Sequence, residues 1–419
     1  MELQRERGHA SRIIGRDVGL AVVALAACSG GRDTAPDALP DPAPGIVDLS
    51  LTALDAEAYT VPFTVGGQPF NAFLDTGSTT MAVAATACDC ETSPLYTPGS
   101  AATDQDVTAT GYYSSGATWS GEVYSDVVAL AGLPRVPVDF VAVSSQSDLF
   151  RTNVQAILGF GPSDLLVPGT TSYLDALGSA GETRELAVRL CPDGGDLWIG
   201  GFDPSAATSA VQFTPILQID PADANQRYYT VAVTGAAIGS ADLGLAADDF
   251  GPTVIDVGTS RSGVPAAAVA AMLGAINADA GFQTLFPNQT LTDDETGICL
   301  EGSAGVTPAL VDATLPPLTV EFATPTGASF AVALSPSRSY FTPLGGTTYC
   351  LGIGSTGDTA PNNSLFGVSV LSGMLTVFDV ADGQIGFAPE LGCAEATGDV
   401  ARRRPEPTAR IRRGLATPD

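Results

Sequence analysis

The chain has 419 residues, 45% of them hydrophobic and only 15% charged, which excludes a coiled coil or a disordered acidic chain and suits about two or three domains. Its net charge of −28 argues against nucleic-acid partners, because such a surface repels phosphate backbones. There is no lysine, and the single histidine, His9, lies in a segment that we expect to be removed. Schiff-base chemistry, histidine triads and histidine-ligated metals are therefore excluded, and we expect neither a metal nor a cofactor.

Residues 1–28 have the pattern of an export signal. A basic start precedes a short apolar run, Leu20–Ala27, that cannot cross a membrane as a helix. The run ends Leu-Ala-Ala-Cys28, which resembles the lipobox of bacterial lipoproteins. This resemblance implies a lipid on Cys28, and Ser29 resembles a signal for outer-membrane sorting; the alternative is an ordinary cleaved signal with an incidental cysteine. We expect an outer-membrane lipoprotein that faces the periplasm or the cell surface and contacts the membrane only through its lipid.

Residues 29–50 are predicted to form a proline-rich tether, because they contain too few apolar side chains to pack. From Leu51 to Ala388, short alternating runs between Gly, Pro, Asn and Asp turns predict an all-β protein with few short helices. The clearest helix is Pro265–Ala278. Beyond Cys393, six arginines and three prolines predict a disordered basic tail over 394–419. Examples of the predicted strands are Tyr59–Val65, Gly121–Leu130, Val136–Val143, Asp196–Gly200, Tyr228–Val233, Leu318–Phe322, Gly373–Asp379 and Gln384–Ala388.

A weak internal repeat is visible. Phe73–Ser78, with Asp75, recurs as Val254–Thr259, with Asp256, and each copy is followed later by two apolar residues and a glycine. The glycine of each copy lets the chain turn sharply, and the hydroxyl after it can fix the plane of the carboxylate by a hydrogen bond. One such turn is more often a plain turn, but two in matching contexts indicate two similar β lobes, each presenting one aspartate.

These motifs resemble the pepsin-like aspartic peptidases, and the resemblance covers most of residues 55–393. It implies a bilobal fold with two β-barrel-like lobes and a cleft between them. The N-terminal lobe would span 51–215, with Asp75 and the flap, and the C-terminal lobe 216–393, with Asp256. The segments that carry the resemblance are Tyr59–Ser78, the flap from Tyr113 to Gly121, Ala156–Gly161, Asp196–Asp203, Ile255–Pro265, Val377–Asp379 and Gln384–Phe387.

The resemblance implies an endopeptidase that cleaves extended polypeptides with a water activated between Asp75 and Asp256. Two adjacent carboxyls share one proton, so one acts as a base and its partner as an acid. Tyr113 would lie at the start of a flap that closes over the substrate. We expect a monomer. The residues that the family would use to hold substrate are Gly77, Ser78, Tyr113, Gly116, Gly258, Thr259 and Ser260.

Without Cys28, six cysteines are left, an even number that favours disulfides in an exported chain. The sequence alone leaves their pairing open. The family resemblance implies a bond between Cys299 and Cys350, and its beta-secretase branch implies one between Cys191 and Cys393. The remaining pair would join Cys88 to Cys90.

Three features depart from the family pattern. Val257 replaces a hydroxyl that braces the two catalytic loops, and Ala82 stands where a tryptophan usually supports the flap tyrosine. The segment between Cys28 and the first strand is too short for the family's inhibitory prosegment and has no lysine, so we expect no zymogen. The first two features favour the alternative, a peptide-binding lipoprotein with a weak or inactive site. The retained Asp75 and Asp256 turns favour the enzyme.

Overall fold

The computed structural model describes residues 45–54, 58–113, 115–150, 153–217, 228–294, 298–357 and 363–393. The predicted signal segment, the lipidation of Cys28, most of the tether and the basic tail lie outside these residues. Within the described ranges, no helix is long and apolar enough to cross a membrane.

Short strands dominate the described residues, and the α-helices are few and short, as the sequence predicts. The strands are β1 (Val47–Leu54), β2 (Ala58–Val65), β3 (Gln68–Asp75), β4 (Ala82–Ala84), β5 (Thr103–Tyr112), β6 (Thr118–Ala129), β7 (Val136–Ser147), β8 (Ala156–Gly159), β9 (Glu185–Cys191), β10 (Gly194–Ile199), β11 (Gln212–Pro215), β12 (Thr230–Ile238), β13 (Ala241–Asp242), β14 (Pro252–Ile255), β15 (Ser262–Val264), β16 (Cys299–Glu301), β17 (Leu318–Ala323), β18 (Ser329–Leu334), β19 (Phe341–Gly345), β20 (Thr348–Leu351), β21 (Ile353–Ser355), β22 (Ser364–Phe366), β23 (Met374–Asp379) and β24 (Gln384–Pro389). The helices are α1 (Tyr173–Ser179), α2 (Ala247–Phe250), α3 (Ala266–Ala278), α4 (Ala280–Leu285), α5 (Pro308–Thr314) and α6 (Val368–Leu371).

The N-terminal lobe is a strongly curved sheet. Its strands lie in the order β1-β2-β3-β8-β4-β7-β6-β5, and β2 also pairs with β6, which curls the sheet toward a barrel. Strands β3 and β8 are parallel, with Asp75 in register with Gly159. The end of β3, which carries Asp75, is therefore held by an interior strand of the sheet.

The C-terminal lobe repeats this arrangement. Its main sheet has the order β18-β17-β12-β14-β22-β15-β21. Strands β14 and β22 are parallel, with Ile255 in register with Phe366, so the chain leaves β14 at Asp256 beside an interior strand once more. The two halves of the sequence repeat therefore form the same local structure. This is the mostly-β, two-lobed fold that the sequence predicts.

A six-stranded part of the first sheet joins both halves of the chain. Its order is β11-β24-β23-β9-β10-β1. The sequence prediction places all of 216–393 in the C-terminal lobe, but β23 and β24 from that range pair with β9 and β11 of the N-terminal half. The boundary at 215 is thus too simple, because strand pairing between distant segments leaves no local trace in the sequence.

The N-terminal boundary also differs from the prediction. Strand β1 begins at Val47 and pairs with β10 from its first residue, so residues 47–50 belong to the sheet and not to the tether. Leu49 and Leu51 are only 6% and 4% exposed, which is the alternation of a strand with one buried face. Proline enrichment of the preceding segment concealed this short pattern.

Within the part of the chain that the structure describes, three disulfide bonds link six cysteines in the pairs that the family resemblance implies. Cys191 at the end of β9 is bonded to Cys393, and Cys299 on β16 is bonded to Cys350 on β20. Cys88 is bonded to Cys90. Disulfides of this kind are typical of exported proteins.

Candidate active site

The first turn of the sequence repeat holds the carboxylate of Asp75 at both oxygens. Asp75 is the last residue of β3 and follows Leu74, which is 1% exposed and anchors the strand in the core. The backbone N–H of Gly77 donates to Oδ1 at 2.8 Å, and the hydroxyl of Ser78 donates to Oδ2 at 2.5 Å. The orientation of the carboxylate is therefore fixed by the turn that follows it.

The second turn is built in the same way. Asp256 directly follows Ile255, a fully buried strand residue. The backbone N–H of Gly258 donates to Oδ1 of Asp256 at 2.7 Å, and the hydroxyl of Thr259 donates to Oδ2 at 2.6 Å. The sequence repeat thus produces two equivalent carboxylate sites, one in each lobe.

The two turns face each other so closely that neither tolerates a side chain at its glycine. A Cβ atom on Gly77 would lie 2.6 Å from Oδ2 of Asp256, and a Cβ atom on Gly258 would overlap Oδ1 of Asp75. The carboxyl groups of Asp75 and Asp256 are therefore close enough to affect each other's protonation. The structure therefore brings together the two aspartates that the sequence singles out.

Both carboxyls are buried, and this controls their protonation. Each aspartate is only 7% exposed. Burial raises the pKa of Asp75, and the charge of Asp256 raises it further, to about 7, against the smaller lowering effect of Ser78 and Gly77. Burial also raises the pKa of Asp256, while Thr259 and Gly258 lower it. The pair is therefore expected to hold one proton over a broad acidic range.

Thr76 joins the two turns across the lobe boundary. Its hydroxyl donates to the carbonyl oxygen of Ile255 at 3.1 Å and accepts a hydrogen bond from the backbone N–H of Val257 at 3.0 Å. Thr76 is fully buried, so these bonds are shielded from water. They fix the relative position of the segments that carry Asp75 and Asp256.

A hairpin made of β5 and β6 extends toward the two aspartates, and Tyr113 lies at its turn. Gly116, with φ +89°, makes the turn possible, and its N–H donates to the carbonyl of Tyr113 at 2.8 Å. The phenol of Tyr113 interacts with the side chains of Ser78 and Trp119. Burial is the main cause that raises the pKa of this phenol.

Trp119 is a residue of the site region that the sequence analysis missed. It lies on β6 directly across from Gly111, and a Cβ atom at Gly111 would overlap the indole. The indole is 4% exposed, and its buried N–H has no well-aligned hydrogen bond, although it faces the phenol of Tyr113. Ala82 is fully buried in β4 and provides no aromatic ring for the flap tyrosine, but Trp119 packs against Tyr113 from within the hairpin. Pairing the two strands across the Tyr113 turn would have revealed this.

The backbone that follows each carboxylate is held by a neighbouring loop. The N–H of Gly161 donates to the carbonyl of Ser78, and the N–H of Val368 donates to the carbonyl of Thr259, both at 2.8 Å. Ser260 accepts from the N–H of Ser369 at 3.0 Å. Of the predicted substrate-contacting residues, Gly77, Ser78, Gly258 and Thr259 thus bond directly to the two carboxylates.

Comparison with known proteins agrees with this arrangement. Residues 58–390 match the family model described as "Eukaryotic aspartyl protease". The chain belongs to this family. As a member of the aspartyl protease family, it is an aspartic endopeptidase that acts on polypeptides.

Named relatives support the same assignment. An "Aspartic protease" of Phaffia rhodozyma is 29% identical over 337 residues, which cover 79% of this chain and 76% of the relative. A "Beta-secretase" of Strongylocentrotus purpuratus is 26% identical and covers 83% and 69% of the two chains. "Penicillopepsin-3" of Penicillium janthinellum is 27% identical and covers 83% and 82%. The similarity therefore extends over both lobes and not over one motif.

Proposed function

We propose that this aspartyl protease hydrolyses internal bonds of extended polypeptides with a water molecule activated between Asp75 and Asp256. The observation that carries the proposal is the contact of two buried carboxyls, each fixed by one glycine N–H and one hydroxyl. Buried carboxyls that share a proton supply both a base and an acid at one point.

The reaction follows from the shared proton. The ionised carboxylate accepts a proton from the water molecule, and the oxygen of that water bonds to the carbonyl carbon of the scissile peptide. The protonated partner donates to the carbonyl oxygen, which becomes a hydroxyl of a tetrahedral intermediate. Breaking the carbon–nitrogen bond then requires a proton on the nitrogen, which the newly protonated carboxyl supplies. One hydroxyl of the intermediate returns its proton to the partner carboxylate as the carbonyl reforms, so the products are a carboxylic acid and an amine and the pair again holds one proton. Because the pair titrates as a unit, neither aspartate is assigned permanently as the acid.

The residues around the pair would hold the substrate. The backbone of Gly77 and Gly258 borders the carboxyls and, together with that of Ser260, would bond the extended peptide. Ser78 and Thr259 keep the carboxylates oriented. The flap hairpin, with Tyr113 and Gly116, would cover the bound peptide and exclude water.

Titration with pepstatin during cleavage of a denatured protein at acidic pH tests the proposal. We expect cleavage within the polypeptide, between internal residues, and complete inhibition at one inhibitor per chain. Binding of pepstatin without any cleavage would instead favour the alternative of a peptide-binding protein with an inactive cleft.

We further propose that the protein is a monomeric bacterial lipoprotein, anchored in the outer membrane by a lipid on Cys28 and carried on the proline-rich tether. The lipobox-like sequence before Cys28 supports this, and so do the disulfides, which are typical of exported chains. Mass spectrometry of the native N-terminal peptide should find an acylated Cys28. An unmodified N-terminus at another residue would contradict the anchor.

A further inference from the structure

Arg261 is a cation on the sheet that carries Asp256. It lies five residues beyond this aspartate, in the segment between Asp256 and β15. The chain has 18 arginines and no lysine against 46 acidic residues, so positive charges are scarce. The side chain of Arg261 is 22% exposed, which leaves the guanidinium partly accessible to solvent.

The guanidinium lies on the same face of the sheet as Asp256. Successive side chains of a strand point to opposite faces of its sheet, so Val254 lies on the face opposite to buried Ile255. Asp256, two residues after Val254, lies on the same face as Val254. Residues that are paired in register on neighbouring strands lie on the same face of a sheet. The pairs that run from β14 through β22 and β15 therefore place Gly354, on β21, on the face of Val254. A Cβ atom at Gly354 would overlap the guanidinium, so Arg261 lies directly over this face.

Part of the guanidinium is already engaged, and part is open. Nε donates to the carbonyl of Leu351 at 3.0 Å, and Nη2 donates to the carbonyl of Ile353 at 3.2 Å. Nη2 also pairs with Asp293, at 3.4 Å, a long contact for an ion pair. Nη1 has no hydrogen-bond partner among the described residues. Two N–H donors of a cation are thus left on the face of the sheet that carries Asp256.

We propose that Nη1 of Arg261 binds an acidic side chain of the substrate and makes the enzyme prefer glutamate or aspartate at one position near the scissile bond. This rests on the proposed peptidase function of the Asp75–Asp256 pair. A guanidinium suits a carboxylate because its donors form charge-assisted hydrogen bonds in a fixed plane.

The distance between β14 and β21 limits which residue of the substrate Arg261 can contact. Three strand spacings of about 4.8 Å separate β14 from β21, or about 14 Å. An extended peptide advances about 3.4 Å per residue, and its side chains reach sideways, so the acidic residue should lie about two to four residues from the scissile bond. Salt at physiological concentration screens the repulsion between an acidic substrate and surface carboxylates more than about 8–10 Å away. It does not screen the attraction in a direct contact between the substrate carboxylate and Nη1 to the same extent.

Quenched fluorescent peptides that differ only by glutamate or glutamine at a single position provide the test. The pair is placed in turn two, three and four residues from the scissile bond, on each side, and kcat/KM is measured at pH 5.5 and pH 3.5. We expect one position at which wild-type enzyme favours glutamate about tenfold at pH 5.5, equivalent to about 1.4 kcal/mol. The preference should disappear at pH 3.5, because glutamate, with a pKa of about 4.3, is then protonated. A ratio near one at every position would overturn the proposal.

Three variants identify the responsible residue. Arg261→Met should abolish the glutamate preference, and Arg261→Lys should retain part of it. Asp293→Asn removes the competing carboxylate and should increase the preference. Arg184→Met is the matched control, because it breaks a different ion pair, with Asp175, and should leave the ratio unchanged.

The outcomes separate the two proposals. An unchanged glutamate preference in Arg261→Met would overturn the role of Arg261. If Arg261→Met fails to fold, Asp293→Asn decides the question. A glutamate preference of Asp293→Asn that does not exceed that of the wild-type enzyme then overturns the role of Arg261. Cleavage of the glutamine peptides by wild-type enzyme tests the peptidase function independently, because that activity does not need the proposed contact.

Discussion

Thr76 and Val257 occupy equivalent positions in the two aspartate turns, yet only Thr76 has a hydroxyl. This hydroxyl is hydrogen-bonded to the backbone of both Ile255 and Val257, whereas the side chain of Val257 cannot make the reciprocal hydrogen bonds. Among the described residues, the bridge from side chain to backbone between the two turns is thus made by Thr76. Val257 is 1% exposed, so its methyl groups still pack at the boundary of the lobes. A one-sided link makes the geometry of the aspartate pair depend strongly on Thr76.

Replacing Thr76 with valine should weaken both stability and turnover. The change leaves the Ile255 carbonyl and the Val257 N–H without their buried partner, and an unsatisfied buried polar group costs about 1–3 kcal/mol. We expect urea unfolding to show a loss of about 2–4 kcal/mol and kcat to fall. A variant with wild-type stability and kcat would show that the bridge does not hold the turns.

Replacing Val257 with threonine is the reciprocal experiment. The two residues have nearly the same shape, and the repeat suggests that a new hydroxyl would face the end of β3, as Thr76 faces the end of β14. We expect kcat to be maintained or raised, measured beside Thr76→Val. A large loss of activity would mean that the hydroxyl finds no partner, and that the reciprocal bridge has no place in this protein.

The pair itself should be indispensable. Asp75→Asn and Asp256→Asn each remove one member of a unit that supplies base and acid together, and general acid–base catalysis contributes about 10²–10⁴-fold. We expect either variant to lose at least about 10³-fold in kcat while circular dichroism shows an unchanged fold. Near-normal turnover in either variant would disprove the assignment of the pair.

Part of this structure could be predicted because it is encoded locally. Alternation of apolar residues reveals strands such as β2 and β7, and the Asp-x-Gly-hydroxyl repeat reveals the two turns. The juxtaposition of Asp75 with Asp256 came from family resemblance, since no local pattern specifies which strands meet. The pairing of β23 with β9 escaped prediction for the same reason, because it joins distant segments that meet only on folding. The packing of Trp119 over Gly111 belongs to a local hairpin and could have been found by pairing its two strands.

Trp119 should contribute to flap closure. Trp119→Phe removes part of the buried ring system against which Tyr113 packs, so we expect kcat/KM to fall about fivefold to tenfold, about 1 kcal/mol. Gly111→Ala should have a similar effect, because its methyl group would displace the indole. Trp198→Phe is the matched control: this buried tryptophan lies on β10, and its replacement should lower stability without a selective loss of kcat/KM. Equal effects of both tryptophan replacements on kcat/KM would remove the role of Trp119.

Activity should be greatest at acidic pH. The reaction needs one proton on the pair, and the hydrogen bonds from Ser78 and Thr259 keep the other carboxylate ionised in acid. The pKa of Asp75 is raised to about 7, so the proton is lost and kcat falls as the pH rises through that value. A profile of kcat against pH should therefore peak below pH 7. A maximum above pH 7 would contradict the proposed protonation state.

The same carboxyl should make stability depend on pH. Burial and the charge of Asp256 raise the pKa of Asp75 from 3.8 to about 7, so between these values the folded chain holds a proton that the unfolded chain has released. This contribution to the free energy of unfolding is fully present below pH 3.8 and is lost as the pH rises through about 7. Asp75→Asn cannot bind this proton, so its free energy of unfolding should decline less than that of wild type over the same range. Urea denaturation of both proteins at several pH values measures the difference. Parallel curves would show that Asp75 titrates alike in the folded and unfolded chain, and that the two carboxyls do not share a proton in the way the proposed mechanism requires.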